Sequence, residues 1–235
     1  MQEEKQDQKE QQLRTISADT FKRMYLLSMV AGFSRGVYGA KRLQKITYLV
    51  ERKQMDIRPF EFKKYHYGQF SETLEEIKEQ LISLGLIAAI PLNASVKISL
   101  RLPDDKTVEW LEGGVRYIIS DPQITQSLVQ TFQLISPNLM LAIRSTIRSF
   151  GYLPEQELIE RCYALPEFIE ADFEDTLFES NISDRIEVTN LNEDTCEEME
   201  MALSPKFVVA MKKIVEGIEN SRLDLEKVRK VAVPV

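Results

Sequence analysis

Residues 39–87 read GAKRLQKITYLVERKQMDIRPFEFKKYHYGQFSETLEEIKEQLISLGLI, and a change of hydrophobic period inside this stretch decides the fold. Leu43, Ile46 and Val50 recur at the spacing of one helical face, so the first part of the stretch predicts a core helix with a single buried stripe. The polar residues between them, among them Lys45, are expected on the other faces of that helix.

A short extended segment and an amphipathic helix follow. Residues 60–67 are rich in aromatic, β-prone side chains and the run ends at Gly68, which predicts a short strand and a turn. The next large apolar residues step by three or four positions and predict one helical face: Phe70, Leu74, Ile77, Leu81 and Leu84. Ser71 is placed to cap the start of this helix, and Gly85 suits the left-handed position that ends it.

Three β-prone segments come after the helix, at residues 86–90, 96–102 and 113–119. Turn-forming residues separate them, so we expect turns at residues 91–94 and at Gly113-Gly114. With a further helix predicted upstream, the order becomes three helices and a β-hairpin, which is the order of a winged helix-turn-helix. The sequence therefore predicts an α+β, mostly α protein with a winged helix-turn-helix-like N-terminal part and a helical C-terminal part.

The chain is expected to divide into three parts. Residues 1–16 form a polar, low-complexity arm that we expect to be disordered. Residues 17–120 make the winged-helix-like domain, and residues 121–235 make a helical, acidic region packed on it. Asp-Pro and Ser-Pro pairs mark helix starts in this last region, including a final helix that opens at Ser204-Pro205. The structure and role of residues 171–200, where acids mix with apolar side chains, stay open.

Three short motifs resemble a known family. The helix motif LQKITY at residues 43–48, the aromatic turn YHYG at 65–68 and the helix end LISLGLI at 81–87 look like the YwgA-like and Panacea (SocA-like antitoxin) group of prokaryotic proteins. A second segment, LIERCYALPEF at residues 158–168, is similar to the C-terminal part of some members. The usual Tyr-Gly-Pro of the family is replaced here by Tyr-Gly-Gln, with Gln69 in the last place.

This resemblance implies both a fold and a class of function. It implies a winged-helix-like scaffold without catalytic residues, used in a prokaryotic cytoplasm as an antitoxin, a chaperone-like neutraliser or a regulator. The strong resemblance covers residues 35–120, and the tail past Asp172 matches no part of the family.

The charge distribution hides a gradient behind a formal net charge of −7. A net negative charge argues against binding of nucleic acid through the overall charge of the protein. Within residues 35–64, however, nine basic residues face three acidic ones, and within residues 155–200 sixteen acids face two arginines. One part of the chain is therefore basic, and the C-terminal half is strongly acidic. This acidic half is suited to dock on a basic surface of a partner.

The sequence contains little that could form an active site or a metal site. His66 is the only histidine, and Cys162 and Cys196 are far apart, so a zinc site is not expected and two free thiols are favoured over a disulfide. No nucleotide-binding or hydrolase motif occurs, and we expect no cofactor. No apolar run approaches the ~20 residues that span a bilayer, and the first residues lack a secretory core, so a cytoplasmic location is expected. An enzyme would need a site built from His66, Tyr67 and acids of the C-terminal half.

Two non-enzymatic functions remain, and the first is protein binding. Its surface is predicted at the aromatic turn, formed by Tyr65, His66, Tyr67, Gly68 and Gln69, because exposed tyrosines often make interface hot spots. Phe60 and Phe62 either add contact area there or pack their strand onto the core. The sequence leaves open the identity of the partner, such as a toxin or a regulator, and a homodimer.

The alternative is a winged-helix transcriptional regulator that binds DNA. Its phosphate contacts would come from the basic residues of the same region: Lys41, Arg42, Lys45, Lys63 and Lys64. Against it, the helix before the wing carries Glu72, Glu75, Glu76 and Glu79, whose charges would repel a phosphate backbone.

Overall fold

A computed structural model describes residues 14–54, 56–101, 107–188, 193–207, 209 and 210. The helices of these residues are, in chain order, α1 (Ala18–Gly32), α2 (Ala40–Lys53), α3 (Glu72–Ser83), α4 (Pro122–Ile135), α5 (Pro137–Thr146), a π-helical turn that extends α5 (Ile147–Gly151), α6 (Glu155–Tyr163), α7 (Pro166–Glu170) and α8 (Glu193–Ala202). The strands are β1 (Arg14–Ser17), β2 (Val37–Tyr38), β3 (Phe62–Tyr65), β4 (Gly68–Phe70), β5 (Ile87–Arg101), β6 (Thr107–Ile119), β7 (Thr176–Phe178) and β8 (Arg185–Val188). The expected α+β class, mostly helical with small antiparallel sheets, is confirmed. Across the described ranges, none of the helices has both the length and the apolar character that a bilayer crossing requires.

Helix α2 is the centre of the molecule, with α1, α5, α6, β2 and β4 packed around it. Leu43, Ile46 and Val50 are buried as the sequence predicts. The expectation of a single buried stripe is wrong, because every residue from 42 to 51 is buried, charged side chains included. Helices α5 and α6 come from the C-terminal half and cover faces of α2 that the local pattern assigns to solvent.

Helix α3 begins and ends where the sequence predicts. Ser71 Oγ accepts the N–H of Leu74 at 3.3 Å, which caps the helix. At the other end Gly85 takes a φ of 68°, and its amide and that of the next residue donate back to carbonyls of the last turn, as in a Schellman motif. The predicted apolar face is buried at its helical positions: Leu74, Ile77, Leu81 and Leu84.

A long β-hairpin follows α3, and its second strand also pairs with β2, which gives the sheet order β2–β6–β5. The turns expected at residues 91–94 and at Gly113-Gly114 are wrong, because both segments lie inside strands. The ladder only shifts its register between Leu92 and Val96. A bulge of this kind absorbs residues that disfavour regular pairing without reversing the chain.

The C-terminal half shares one hydrophobic core with the N-terminal half. The ring of Phe132 on α4 is fully buried, with its centroid 5.1 Å from Phe21 and 6.4 Å from Tyr25 of α1. Asp121 caps α4 as predicted by accepting backbone N–H groups of the first turn. Ser136 forms no such bond at the start of α5, so the proline after it marks the helix start without a side-chain cap.

Two strands of the C-terminal half complete small sheets that the N-terminal half begins. Strand β8 pairs antiparallel with β1, and β7 pairs with β3 in the order β4–β3–β7. Residues 171–200, left open by the sequence, therefore contain two strands and most of α8. The predicted disorder of residues 1–16 is wrong for residues 14–16, which lie in β1 with Ile16 fully buried. Residues 1–13 lie outside the described ranges, as does most of the final helix expected to open at Ser204-Pro205.

Candidate functional site

The residues predicted to bind a partner comprise the last residue of β3, the turn that follows it and the start of β4. Tyr67 at the tip of this turn is 75% exposed, more than any other large apolar side chain in the described part of the chain. His66 is also exposed, whereas Gly68 and Gln69 are buried. The turn therefore presents aromatic groups outward from a base that is anchored in the core.

A cleft of about 400 Å³ lies beside this turn. It is bounded by the first turns of α2 and α3 and by the β3–β4 turn, and most of its surface is apolar. The residues that shape its wall include Ala40, Lys41, Lys45, Tyr65, Tyr67, Gly68, Gln69 and Phe70, with Glu72 and Glu75 at one side. The structure thus brings four of the five residues predicted to bind a partner into one cleft, together with two of the predicted phosphate contacts.

Lys45 holds the turn from below. Its Nζ donates a hydrogen bond to the carbonyl oxygen of Tyr67 at 2.9 Å and lies 5.2 Å from the centre of the Tyr163 ring. Burial lowers the pKa of Lys45, and repulsion from nearby Lys41 acts in the same direction. A cation that is held by a carbonyl and an aromatic face, with little contact to water, fixes the position of the turn.

Gly68 and Gln69 fix the other side of the turn. Gly68 has a φ of 102°, and a Cβ at this position would meet Lys45 Nζ and lie 2.8 Å from Cε1 of Tyr163. Gln69 donates from Nε2 to the carbonyl oxygen of Cys162 at 2.9 Å, while its buried Oε1 atom has no hydrogen-bond partner among the described residues. The exposed tyrosine therefore stands on a base with little freedom to move.

Neither cysteine forms a disulfide, as the sequence predicts, and both side chains are buried. Burial raises the pKa of the Cys162 thiol to about 11, so this thiol stays protonated at neutral pH. Neither a disulfide nor a reactive thiolate is therefore present at the base of the turn.

His66 lies at the edge of the turn. Its ring packs on Phe173 with 4.3 Å between the ring centres, and its carbonyl oxygen accepts a hydrogen bond from Tyr163 Oη at 3.4 Å. Among the described residues, no carboxylate or hydroxyl group hydrogen-bonds to the imidazole ring.

Two of the five residues predicted to contact phosphate, Arg42 and Lys45, are buried. The prediction is therefore wrong for these two residues. Arg42 is 3% exposed, and its Nη1 atom donates to the carbonyl oxygens of Gly151 at 3.1 Å and Leu153 at 2.7 Å. Lys45 is 1% exposed and is bonded to the turn. Both lie in the part of α2 where every residue from 42 to 51 is buried, and both donate to backbone carbonyl oxygens of the chain.

The other three predicted phosphate contacts are spread over two elements. Lys41 is exposed at the start of α2, with its Nζ 5.0 Å from the Tyr67 ring centre and 3.9 Å from a carboxylate oxygen of Glu155. Lys63 pairs with the neighbouring Glu61 at 3.3 Å. Lys64 donates to the carbonyl oxygen of Ala171 at 2.7 Å and is half-buried. These three lysines are at least partly exposed, and each of them already has a partner within the chain.

An acidic groove continues from the cleft along α3. The two share Phe70, Glu72 and Glu75, and the groove extends past Glu76 and Glu79. Lys78 is the basic residue of this helix, but it is buried and pairs with Glu75 and Glu79 on either side. The exposed side of α3 therefore carries a negative charge close to the apolar cleft.

Two further sets of residues have structural positions that the sequence did not reveal. Phe60 and Phe62 are fully buried, so they pack their segment onto the core and add no contact area to the turn.

Glu51 is also fully buried on α2 and accepts the backbone N–H of Phe60 at 3.3 Å. Burial raises the pKa of Glu51 well above its usual value, although this bond and nearby Arg58 oppose the rise. Periodicity could not have found Glu51, because its polarity marks it for the surface.

Comparison with known proteins identifies no relative. No protein-family model matches the chain, and neither a curated protein nor a solved structure matches it. Within the described residues, no three side chains of His, Cys, Asp or Glu come together in a way that could hold a metal ion.

Proposed function

We propose that this protein is a protein-binding regulatory module and that its partner docks on the cleft beside the β3–β4 turn. The observation that carries the proposal is Tyr67, which is 75% exposed at the rim of an apolar cleft of about 400 Å³. Exposed tyrosines next to a concave apolar surface are typical of interface hot spots. An apolar side chain of the partner would enter the cleft and pack against the Tyr67 ring.

The rigid base of the turn supports this function. Lys45, Gly68 and Gln69 hold the backbone below Tyr67 through a buried hydrogen bond, a backbone conformation that favours glycine, and a second bond to the core. A surface that is already ordered loses little conformational entropy when a partner binds. The turn is thus built as a preformed contact rather than as a mobile loop.

The acidic groove specifies the charge of the partner. Glu72, Glu76 and Glu79 are exposed on α3 directly beside the cleft. A partner segment with lysine or arginine close to its apolar anchor would meet these carboxylates, which would speed its association and select it over acidic segments. The proposed partner is therefore a protein with a basic docking segment.

We infer a winged-helix-like scaffold for residues 18–119. Two features of the described chain support it: α1, β2, α2, α3 and the β5–β6 hairpin occur in the winged-helix order, with β3 and β4 inserted between α2 and α3, and β2 pairs with β6 beside β5. The motif resemblance at residues 43–48, 65–68 and 81–87 points in the same direction. An antitoxin-like or adaptor role in a prokaryotic cytoplasm is the setting that this resemblance suggests.

DNA binding is the second candidate, and the same order of helices and hairpin favours it. In a winged helix, α3 would be the helix that enters the major groove. Its exposed side carries glutamates, and Arg42 and Lys45 are buried on α2, so the phosphate contacts that such a protein needs are largely missing from this side. Protein binding therefore ranks first.

An affinity capture from native lysate, with and without nuclease, tests both candidates. We expect a stoichiometric protein that survives nuclease and whose binding falls by about 30-fold with Tyr67→Ala, the loss typical of a hot spot. The Glu76→Lys/Glu79→Lys variant should also weaken it, and more so at low salt. Leu141→Ala, at a 62% exposed position of α5, is the matched control and should leave capture unchanged.

Two results would overturn the proposal. One is a captured protein whose binding is the same in the parent, the Tyr67→Ala variant and the charge-reversed variant. The other is the recovery of nuclease-sensitive DNA alone, released by rising salt and weakened by Lys41→Gln, which would establish the DNA-binding candidate instead.

A further inference from the structure

A second cavity lies on another part of the molecule, between the end of α1, strand β6 and helices α4 and α5. Its volume is about 620 Å³, within the range of about 300–1,000 Å³ that is common for small-molecule sites. None of the residues that line it belongs to the cleft described above. An inference about this cavity is therefore independent of the proposed function.

The charged residues that line this cavity are all arginines, namely Arg35, Arg116 and Arg144. This is unusual in a chain with a formal net charge of −7. Among the described residues, neither Arg116 nor Arg144 lies within ion-pair distance of a carboxylate. Arg144 donates from Nη2 to the amide oxygen of Gln133 at 2.7 Å. Three guanidinium groups from three different elements thus surround one space without a carboxylate in its wall.

Arg116 is the best-placed of the three. It lies on β6, half-buried, with its guanidinium carbon 6.0 Å from the centre of the Tyr38 ring. Among the described residues its guanidinium forms no ion pair, and its Nε atom has no hydrogen-bond partner. An anion in the cavity would therefore meet a positive charge that no carboxylate neutralises.

The rest of the wall suits a ligand that also has an apolar body. Val30 and Phe33 of the α1 end, and Ile118 of β6, give it an apolar side. Gln126 and Gln130 of α4 add amide groups that can donate and accept hydrogen bonds. The cavity therefore combines positive charge for an anionic group with a surface for a ring or a chain.

The loop at the rim is held in place. Gly36 has a φ of 79°, and a Cβ there would lie 2.5 Å from the carbonyl oxygen of Tyr117, so only glycine lets the loop lie this close to β6. The backbone N–H of Ser34 donates to Tyr152 Oη at 3.1 Å, and the rings of Phe33 and Tyr152 pack edge to face at 5.8 Å. The site is thus largely preformed, as small-molecule sites usually are.

We propose that this cavity binds a small phosphate monoester with an aromatic or apolar body. The dianionic phosphate would be held by Arg116 and Arg144, with Arg35 at the rim, because the guanidinium group forms paired hydrogen bonds with phosphate oxygens. The body of the ligand would pack against Phe33 and Ile118. Free nucleotides and nucleic-acid ends both carry this chemistry, and the experiment separates them.

Isothermal titration calorimetry on the full chain tests the proposal with AMP and phenyl phosphate as probes. Adenosine lacks the phosphate, inorganic phosphate lacks the body, and a ten-nucleotide thymidine oligomer that carries a 5′-phosphate represents a nucleic-acid end. We expect at least one of the two esters to bind at least tenfold more tightly than adenosine and inorganic phosphate, and more tightly than the oligomer. Arg116→Gln and Arg144→Gln should each weaken that binding by about tenfold or more, since each removes a charge-assisted bond.

Arg148→Gln is the matched control, because Arg148 lies exposed one turn after Arg144 and does not line the cavity. Thermal unfolding of each variant separates loss of binding from loss of fold, and Arg144 is exposed enough that its variant should fold. The proposal is overturned if neither ester binds, if Arg148→Gln weakens binding as much as Arg144→Gln, or if the oligomer binds more tightly than both esters.

Discussion

Replacing Gly68 by alanine tests whether Lys45 holds the exposed turn in place. Gly68 has a φ of 102°, and an added Cβ would meet Lys45 Nζ and lie 2.8 Å from Cε1 of Tyr163. A lysine end is usually free to move away. Here it is buried and donates to the carbonyl oxygen of Tyr67, so moving it breaks that hydrogen bond.

The magnitude follows from a comparison with Gly114→Ala. Gly114 has a φ of 90°, but nothing lies within 4 Å of an added Cβ, so this control reports backbone strain alone, about 1–3 kcal/mol. Gly68→Ala adds the loss of a hydrogen bond from a charged donor, about 1.5–3 kcal/mol. At about 2–4 °C per kcal/mol for a chain of this size, Gly68→Ala should lower Tm by roughly 3–12 °C more than Gly114→Ala does.

Circular dichroism during heating gives Tm, and urea denaturation gives the free energy of unfolding. A double-mutant cycle with Lys45→Met adds a second test, since Lys45→Met should cost less in the Gly68→Ala background, where the bond to Tyr67 is already broken. Equal Tm losses for Gly68→Ala and Gly114→Ala, or additive effects of Gly68→Ala and Lys45→Met, would refute this account of the turn.

Three further predictions concern the core and two carboxyl groups. Phe132→Ala should lower the free energy of unfolding, measured in urea, by about 3–5 kcal/mol. Leu134→Ala, at a 59% exposed position of the same helix, should change it by about 0.5 kcal/mol at most. If both variants lost a similar amount of stability, the result would contradict a core shared by the two halves. Glu51→Gln should raise Tm at neutral pH. Because the pKa of Glu51 is raised in the folded protein, the stability of the parent falls as the pH rises from about 4.3, the pKa of a free glutamate, towards the pKa that Glu51 has in the folded state. The gain should shrink towards pH 4, and a gain that is independent of pH would count against the buried carboxylate. Burial acts to raise the pKa of Glu167, but hydrogen bonds to its carboxylate, above all the one from Arg52, outweigh burial and lower the pKa. The carboxylate therefore stabilises the fold above about pH 4.3, the pKa of a free glutamate, and this stabilisation is lost as the pH falls through the pKa that Glu167 has in the folded protein. Glu167→Gln should therefore flatten the acid side of the curve of Tm against pH, and an unchanged curve would argue against the bond.

Local signals in the sequence predicted helix α3 well. Ser71 and Gly85 act through groups only a few residues away, so the start and the end of the helix could be read from neighbouring residues. The two turns expected inside the hairpin failed for the opposite reason. Whether residues 91–94 form a turn or a bulge depends on the strand that pairs with them, and single-stretch patterns do not contain that strand.

The candidate site was predicted only in part, and burial explains the difference. The aromatic turn at Tyr67 could be found, because its residue types are those of exposed contacts. The roles of Arg42 and Lys45 could not, because both lie on a helix that is covered by α5 and α6, which belong to the C-terminal half of the chain. Strand β7 could not be predicted either, because it is only three residues long and its extended structure depends on pairing with β3. Distant contacts of this kind leave no periodic trace near the residues that they affect.

The pairing of β1 with β8 has a consequence for how the chain folds during synthesis. Arg14 lies opposite Val188, so the first described strand must wait for a partner made about 170 residues later, roughly 10–30 s at usual bacterial elongation rates. Strand β3 waits in the same way for β7. Until residue 188 leaves the ribosome, two strand edges stay open and can join a neighbouring nascent chain. The first described strand is therefore paired only late in synthesis, and a chain cut short before residue 176 would keep both edges open and be prone to aggregate.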